Sequence, residues 1–138
     1  MSVYWDSSAL VAALHDETLR ERLASIGNVT RAHSFTEVFS TLTGGRLGIR
    51  YKPTEAVEMI VSLREDLEVV EVTTNETIEA LHSAHKKGVR GGRIHDYLHA
   101  VAASLSGSET LLTLNTKDFK GLIDGLNVVS PYSLLKPA

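Results

Sequence analysis

The sequence contains no cysteine, which excludes disulfide bonds and every zinc or redox site that depends on thiolates. It is also short of positive charge, since 14 lysines and arginines against 17 acids leave a formal net charge of −3. A generally basic nucleic-acid coat is therefore excluded. A nucleic acid would have to bind a local basic patch or a metal site.

Long apolar runs are missing as well, and no run approaches the length of a membrane span. Met1 is followed directly by a strand-like segment with a charge at Asp6, so no signal peptide is visible. The lack of cysteine suits a reducing compartment. We therefore expect a soluble, cytoplasmic protein.

Length and composition are those of an ordinary globular domain. The chain has 138 residues, of which 43% are hydrophobic and 22% charged, so we expect one domain over residues 1–138. Apolar, strand-like runs alternate with helical segments, and the runs cover residues 3–5, 29–32, 67–72, 110–114 and 126–129. This alternation predicts an α/β protein, a three-layer α/β/α sandwich with a mostly parallel sheet of four or five strands.

Two helices carry predictions about which side faces the core. In the helix that starts at Thr54, the 3.6-residue period turns Val57, Ile60 and Val61 inward. The helix over residues 94–106 has no lysine, arginine or glutamate and is apolar nearly all round. That composition is typical of a helix buried on both sides.

Polar side chains stand where strands end or helices begin: Asp6, Glu37, Asp96, Asn115 and Asp118. Asp6 ends the first strand, Glu37 follows the second, and Asp96 opens the helix that leads to the fourth. Because the carboxyl ends of parallel strands meet at one rim, we expect a single acidic pocket there. Such a pocket suits Mg²⁺ or Mn²⁺, which can activate water and clamp the oxygens of a phosphodiester. The pattern therefore predicts metal-dependent phosphodiester hydrolysis.

Three of these acids also have an ordinary structural explanation. Asp6 could be the N-cap of the first helix. Glu37 stands three residues after Ser34, which is the spacing of a capping box. Asp118 could cap a short helix that starts at Phe119. Both kinds of explanation stay open.

A basic, glycine-rich segment with Lys86, Lys87, Arg90 and Arg93 precedes Asp96. An unpaired buried carboxylate is costly, so Asp96 needs Arg93, Lys87 or a metal ion as a partner. The segment could also hold an RNA backbone over the metal site, or be a solvated loop. A second candidate patch comprises Arg46, Arg50, Tyr51 and Lys52.

Four segments, in this order, resemble PIN-domain nucleases of the VapC toxin type. They are residues 3–10 (VYWDSSAL), 36–38 (TEV), 95–100 (HDYLHA) and 112–119 (LTLNTKDF), so the matching pieces span nearly the whole chain. The resemblance implies a compact α/β/α domain, an acidic site for Mg²⁺ or Mn²⁺, and ribonuclease activity on single-stranded RNA, often transfer or ribosomal RNA. It also implies a cognate antitoxin that blocks the site, and a homodimer.

By the same resemblance, Asp6, Glu37 and Asp96 are the core catalytic and metal-binding acids. The fourth acid of the family falls at Asn115 or at Asp118. Since asparagine is neutral and a poorer ligand, Asp118 would supply the charge while Asn115 orients a metal-bound water. Candidates for orienting the carboxylates by hydrogen bonds are Ser7, Ser8 and Thr113.

Other classes of function stay open. The adjacent pair His95 and Asp96 is also found in HD-type metal phosphohydrolases, and His95 and His99 have a spacing that can bind a metal from one helix face. HD domains are all-helical, however, whereas this chain has strong strand runs. A phospho-receiver domain fits poorly, because serines follow Asp6. A PIN-like domain that has lost catalysis and only binds a partner stays open because of Asn115.

Overall fold

The computed structural model describes residues 2–25, 27–45, 48 and 50–135. In these ranges five strands and seven α-helices are present, and a 3-10 helix comes last. The strands are β1 (Val3–Trp5), β2 (Asn28–Arg31), β3 (Glu68–Val70), β4 (Thr110–Leu112) and β5 (Asn127–Val129). The helices are α1 (Ser7–Leu14), α2 (Glu17–Leu23), α3 (Ala32–Thr43), α4 (Pro53–Glu65), α5 (Thr74–Lys86), α6 (Arg93–Leu105), α7 (Thr116–Phe119) and the 3-10 helix Pro131–Leu135.

The five strands form one sheet in the order β3-β2-β1-β4-β5, and every neighbouring pair is parallel. The central strand β1 places Val3 opposite Asn28 of β2 and Thr110 of β4. All carboxyl ends therefore lie along one rim, with the ends of β1, β2 and β4 side by side at its middle. The prediction of a parallel sheet is confirmed.

The core lies on both faces of the sheet, because successive side chains of a strand point to opposite faces. Trp5 packs in one buried cluster with residues of α1 to α4, such as Leu10, Val38 and Leu63. Its neighbour Tyr4 belongs to a second buried cluster with residues of α5 and α6, such as Ala84. The three-layer α/β/α prediction is confirmed.

The chain leaves the sheet earlier than the apolar run of β4 suggests. The run predicts a strand over residues 110–114, but β4 ends at Leu112. The backbone N–H of Leu114 donates to the Ser8 hydroxyl at 2.9 Å. This hydrogen bond holds the segment after β4 against the start of α1. Helix α2 begins after its N-cap Asp16 and ends at Leu23, and Ile26 lies outside the described residues.

The predicted inner face of α4 is confirmed for Ile60, which packs against the core, but is wrong for Val57 and Val61. Val57 and Val61 are 49% and 53% exposed, and the fully buried residues are Ala56 and Leu63. Positions 56 and 63 are two helical turns apart, so an equally regular stripe, which includes partly buried Ile60, faces the core. The small Ala56 made this stripe harder to recognise than the valines.

The expectation that α6 is buried on both sides is also wrong. Leu105 is 45% exposed, and Ile94, Leu98 and Val101 are only partly buried. The small residues of the helix face the core instead, because they allow it to lie close to the sheet; buried are Tyr97, His99, Ala100, Ala102 and Ala103. No helix in the described ranges is long and apolar enough to cross a membrane.

Candidate active site

Asp6 follows β1 at the middle of the rim and is 3% exposed. It is the N-cap of α1, and its Oδ1 accepts both the backbone N–H of Ala9 at 2.9 Å and the Ser8 hydroxyl at 2.7 Å. The N-cap explanation is therefore confirmed. Both hydrogen bonds end on the same oxygen, and within the described residues Oδ2 accepts none. One oxygen fixes the side chain while the other stays free to bind a ligand.

The environment of Asp6 opposes its negative charge. Burial raises the pKa of Asp6 above its ordinary value. The charge of His99, the nearby Thr113 and the hydrogen bonds from Ala9 and Ser8 act in the opposite direction without cancelling this effect. A cation beside the free oxygen would relieve the cost of keeping this carboxylate ionised.

Glu37 reaches the same rim from α3. Its Oε1 lies 2.7 Å from Nε2 of His99 and 3.9 Å from a guanidinium nitrogen of Arg31. Burial raises the pKa of Glu37, but the hydrogen bond and charge of His99, with the charge of Arg31, outweigh burial and lower it. The expected capping box is wrong, because α3 already begins at Ala32 and the Ser34 hydroxyl instead accepts from Thr30.

A buried hydrogen-bond chain holds Glu37 in place. His99 is 2% exposed, and its Nδ1 lies 2.8 Å from the hydroxyl of Tyr4. An ionised carboxylate only accepts hydrogen bonds, so Nε2 of His99 must donate to Glu37. The Tyr4 hydroxyl, whose pKa burial raises, can donate to Nδ1 of a neutral ring or accept from Nδ1–H of a protonated ring. Both ring nitrogens of His99 are engaged, which does not fit the metal-binding pair with His95 that an HD-type site would need.

Asp96 lies in the first turns of α6 and is half-buried. Burial raises the pKa of Asp96, and the charge of Asp118 is the next largest cause of the rise. The charges of Asp6 and Glu37 add to it, while that of His99 opposes it. Asp96 therefore lies within electrostatic reach of each of the other three acids.

Asn115 and Asp118 follow β4, so they lie on the other side of Asp6 from Glu37. Asn115 is the N-cap of α7 but makes no capping hydrogen bond with its side chain. Its backbone N–H donates to the hydroxyl of Thr113 at 3.0 Å. Asp118 is exposed and lies inside α7, which begins at Thr116, so the idea that Asp118 caps a helix starting at Phe119 is wrong.

Hydroxyl groups join the two sides of the rim. The Ser8 hydroxyl donates to Asp6, accepts from the backbone of Leu114 and lies 3.4 Å from the Thr113 hydroxyl. Ser8 and Thr113 thus tie β1 to the segment after β4. Ser7 is half-buried and makes no side-chain hydrogen bond to the described residues.

The side chains of the basic segment differ in their contacts. Lys86 and Arg90 are exposed. The Lys87 ammonium donates to the backbone carbonyl of Leu122 and lies over the Tyr97 ring, so it is already engaged. In the second patch, Arg46 lies outside the described residues, and the Tyr51 hydroxyl is 2.9 Å from Nε2 of His15.

The partner expected for Asp96 is not a basic side chain. Arg93 donates to the backbone carbonyl of Asp118 at 3.3 Å. Across the described part of the chain, no lysine or arginine lies within ion-pair distance of Asp96. Neither basic partner predicted for this half-buried carboxylate is therefore paired with it in the described residues.

The residues at the rim fit a hydrated divalent ion. Within residues 2–25, 27–45, 48 and 50–135, no three histidine or acidic side chains converge closely enough to enclose a metal. Mg²⁺ does not need such a cage, since it keeps several waters and takes one or two carboxylates plus substrate phosphates. The free oxygen of Asp6 and the acids around Asp96, whose charges add to the rise in pKa that burial causes, suit such an ion.

Sequence reasoning missed the roles of three residues, Tyr4, His99 and Arg31. The sequence indicates only that His99 could bind a metal together with His95, whereas in the structure His99 holds Glu37. Its spacing of three residues from Asp96 places both on one face of α6, which is a signal for a shared site. Nothing local in the sequence points from Tyr4 to a partner 95 positions away.

Comparison with known proteins agrees with this geometry. The PIN domain family matches residues 3–122. The fold is similar to that in the "Crystal Structure of PAE2754 from Pyrobaculum aerophilum", with a TM-score of 0.71 and 20% sequence identity, covering 98% of this chain and 93% of that chain. At this identity the similarity supports the fold alone. No curated protein sequence matches the chain. PIN domains are generally metal-dependent nucleases, and since the family match covers most of its length, this chain belongs to the PIN domain family.

Proposed function

We propose that this PIN domain is an endoribonuclease that cleaves phosphodiester bonds of single-stranded RNA with Mg²⁺ or Mn²⁺. The observation that carries the proposal is that Asp6 and Glu37 use their two carboxylate oxygens differently. In Asp6 and in Glu37 one oxygen is fixed by hydrogen bonds, and within the described residues the other accepts none. Neither free oxygen is among the buried atoms without a partner in the described residues, so both are accessible to a ligand from solvent.

In this proposal Asp6, Glu37, Asp96 and Asp118 would hold the ion together, one or two of them directly and the others through its waters. When bound, the ion supplies an activated water and neutralises the charge that develops on the phosphate. Asp6 and Glu37 offer their free oxygens from fixed positions. Asp96 and Asp118 repel each other in its absence, so together they attract a divalent cation rather than a lysine or arginine.

The surrounding residues have supporting roles in the proposal. Ser8 and Thr113 set the orientation of Asp6, and Ser7 lies beside them. Asn115 can hydrogen-bond a water at the site, since its side chain does not cap α7. The charge of Asp118, which acts on Asp96, supports the idea that the fourth acid of the site is supplied three positions after Asn115. A site with four acids does not favour a domain that only binds a partner.

The basic residues before α6 are proposed to bind the RNA backbone. Lys86 and Arg90 are exposed and stand free to meet phosphates. Arg93 reaches the carbonyl of Asp118, so its charge lies next to the acids. Lys87, bound to Leu122, contributes charge from a fixed position.

We further propose that residues 1–138 form one domain that acts in the cytoplasm as the toxin of a type II toxin–antitoxin pair. A cognate antitoxin would then cover the acidic rim, and the toxin would form a homodimer. The support is the resemblance of four sequence segments to VapC toxins. Exposed apolar side chains that a partner could cover are Val57, Val61, Ile78 and Leu81.

The experiment that tests the nuclease proposal is cleavage of a mixed single-stranded RNA pool by the purified protein with Mg²⁺, Mn²⁺ or EDTA. The Asp96→Asn variant reveals any contaminating nuclease. Asp124→Asn is the matched control. Asp124 lies after α7 and is exposed, and its replacement by asparagine removes the same charge. Metal-dependent cleavage by the wild type and the control, but not by Asp96→Asn, is expected. Equal cleavage by all three proteins would contradict the proposal.

A further inference from the structure

A cavity of about 300 Å³ opens beside the acidic rim, at the carboxyl ends of β2 and β3. We call it the Arg31 cavity, after the last residue of β2. Its apolar walls include Val70 and Leu98, and its polar lining comes from Arg31, His33, Glu71, Thr77 and His95. Binding sites for small ligands commonly combine such walls with a few polar groups, and a volume near 300 Å³ is at the small end of their range.

Arg31 is a buried cation with unused hydrogen-bond donors. Its side chain is 11% exposed, and its Nε and Nη2 atoms are buried without a hydrogen-bond partner in the described ranges. The nearest acid is Glu37, whose Oε1 is 3.9 Å away and already bonded to His99. A buried donor without an acceptor is costly. Because Arg31 lines the cavity, its poorly compensated charge can attract an anion there, and the side chain would turn its buried nitrogens toward the cavity to bind it.

The chemistry of Arg31 favours one kind of anion. A guanidinium presents its donors in a planar fork that matches the oxygens of a phosphate. Glu71, which also lines the cavity, is exposed, so water screens its charge more than that of buried Arg31. The cavity therefore favours an anion at its Arg31 end.

Two histidine rings form an aromatic edge to the same cavity. His33 at the start of α3 and His95 at the start of α6 are stacked, with ring centroids 6.0 Å apart and an angle of 13° between the rings. Both residues are exposed, so a further flat group can stack on them. Burial, followed by the charge of Arg31, lowers the pKa of His33, which favours the neutral ring. Unpaired bases of RNA bind to proteins by stacking of this kind.

We infer that the Arg31 cavity binds one nucleotide of single-stranded RNA next to the bond that is cleaved, with Arg31 on its phosphate and its base against His33 and His95. This inference rests on the proposed function, because Glu37 and Asp96 of the acidic rim adjoin Arg31 and His95. A paired base could not reach the rings, since only an unstacked base presents its face. The cavity thus selects single-stranded over double-stranded RNA.

The test is binding of adenosine 5′-monophosphate and of inorganic phosphate to the full chain in EDTA, followed by calorimetry and by the NMR signals of the histidine rings. The variants are Arg31→Met, His33→Ala and, as the matched control, Arg64→Met on the exposed surface of α4. Circular dichroism and thermal unfolding establish that each variant is folded. Since no metal is present, the result does not depend on cleavage.

The nucleotide is expected to shift the ring signals of His33 and His95. Arg31→Met should weaken its binding by about tenfold or more, the effect of losing a hydrogen-bonded charge pair, whereas Arg64→Met should not. His33→Ala should weaken binding of the nucleotide but not of inorganic phosphate. If the wild type binds the nucleotide but does not cleave RNA with Mg²⁺ or Mn²⁺, that result counts against the nuclease proposal alone.

Three results would overturn the inference. The first is equal binding of the nucleotide by the wild type and by Arg31→Met. The second is an absence of binding at millimolar nucleotide while RNA is still cleaved with Mg²⁺. The third is a shift of the same histidine signals by an aspartate-rich peptide but not by the nucleotide, which would assign the cavity to a protein partner.

Discussion

Replacing Asp6 by asparagine or by alanine separates its structural role from its proposed metal-binding role. The two hydrogen bonds that hold Asp6 both end on Oδ1. An asparagine oxygen can accept both of them, so Asp6→Asn keeps the N-cap of α1. The amide group then replaces the free oxygen Oδ2, which removes the proposed ligand. Asp6→Ala loses the cap and the ligand together.

The expected difference in stability follows from the cap alone, because both variants lack the buried charge. Loss of a side-chain N-cap costs about 1 kcal/mol. Asp6→Ala should therefore have a free energy of unfolding about 1 kcal/mol below that of Asp6→Asn. For a chain of this size the difference in Tm is about 4 °C. In metal-free buffer Asp6→Asn should be at least as stable as the wild type, since burial disfavours the charge it removes.

The assay is urea unfolding of the wild type and both variants in EDTA and in millimolar Mn²⁺. A ligand that binds only the folded state stabilises it by about 2.7 kcal/mol at 100 times its Kd, so Mn²⁺ should stabilise the wild type and neither variant. Equal stability of the two variants would refute the claim that the N-cap of Asp6 stabilises the fold. Equal stabilisation of the wild type and Asp6→Asn by Mn²⁺ would refute the role of Oδ2.

Three further predictions concern pH, the buried chain and the basic segment. Because the pKa of Asp96 is raised in the folded state, the folded protein holds more protons than the unfolded chain between the ordinary and the raised pKa, and stability falls as pH rises through that window. In metal-free urea unfolding, the stability gained by Asp96→Asn should therefore grow with pH across the window and then level off. His99→Ala leaves buried Tyr4 and Glu37 without partners, so it should lower the free energy of unfolding by about 1–3 kcal/mol and Mn²⁺ affinity by roughly tenfold to hundredfold. Lys86→Glu with Arg90→Glu should weaken RNA binding in filter assays, most strongly at low salt, while Mn²⁺ affinity stays unchanged.

Each of these predictions has an outcome that contradicts it. A gain from Asp96→Asn that is constant at every pH would mean that Asp96 has an ordinary pKa. His99→Ala with wild-type Mn²⁺ affinity would mean that His99 only supports the fold, and Tyr4→Phe, which removes one hydroxyl from the same chain, is its milder control. Unchanged RNA affinity in the double charge reversal would remove the basic segment from the RNA-binding surface.

Much of the fold could be predicted because its signals are local. The alternation of strands with helices was enough for the parallel sheet and for helices on both faces, and the rim that collects the acids follows from that topology. The inner face of α4 could not be chosen, because Val57 and Val61 and the stripe with Ala56 and Leu63 have the same period. Only packing against α3 and the sheet decides between them.

The candidate site divides in the same way. Asp6, Glu37 and Asp96 stand at junctions that the sequence shows, so their convergence could be foreseen. The Tyr4–His99–Glu37 chain joins residues from three elements that meet only after folding. The unpartnered donors of Arg31 could not be foreseen either, since an arginine at a strand end is usually solvated. Both features depend on burial, which periodicity predicts poorly for polar side chains.

The measurement that tests the central claim most directly is Mn²⁺ binding, followed by electron paramagnetic resonance and calorimetry, on the same protein samples that are assayed for RNA cleavage. The samples are the wild type, Asp6→Asn, Asp96→Asn and the control Asp124→Asn. The account predicts that the wild type and the control bind Mn²⁺ and cleave RNA, and that both rim variants lose binding and cleavage together. Cleavage that persists in either rim variant, or Mn²⁺ affinity equal in all four proteins, would contradict it.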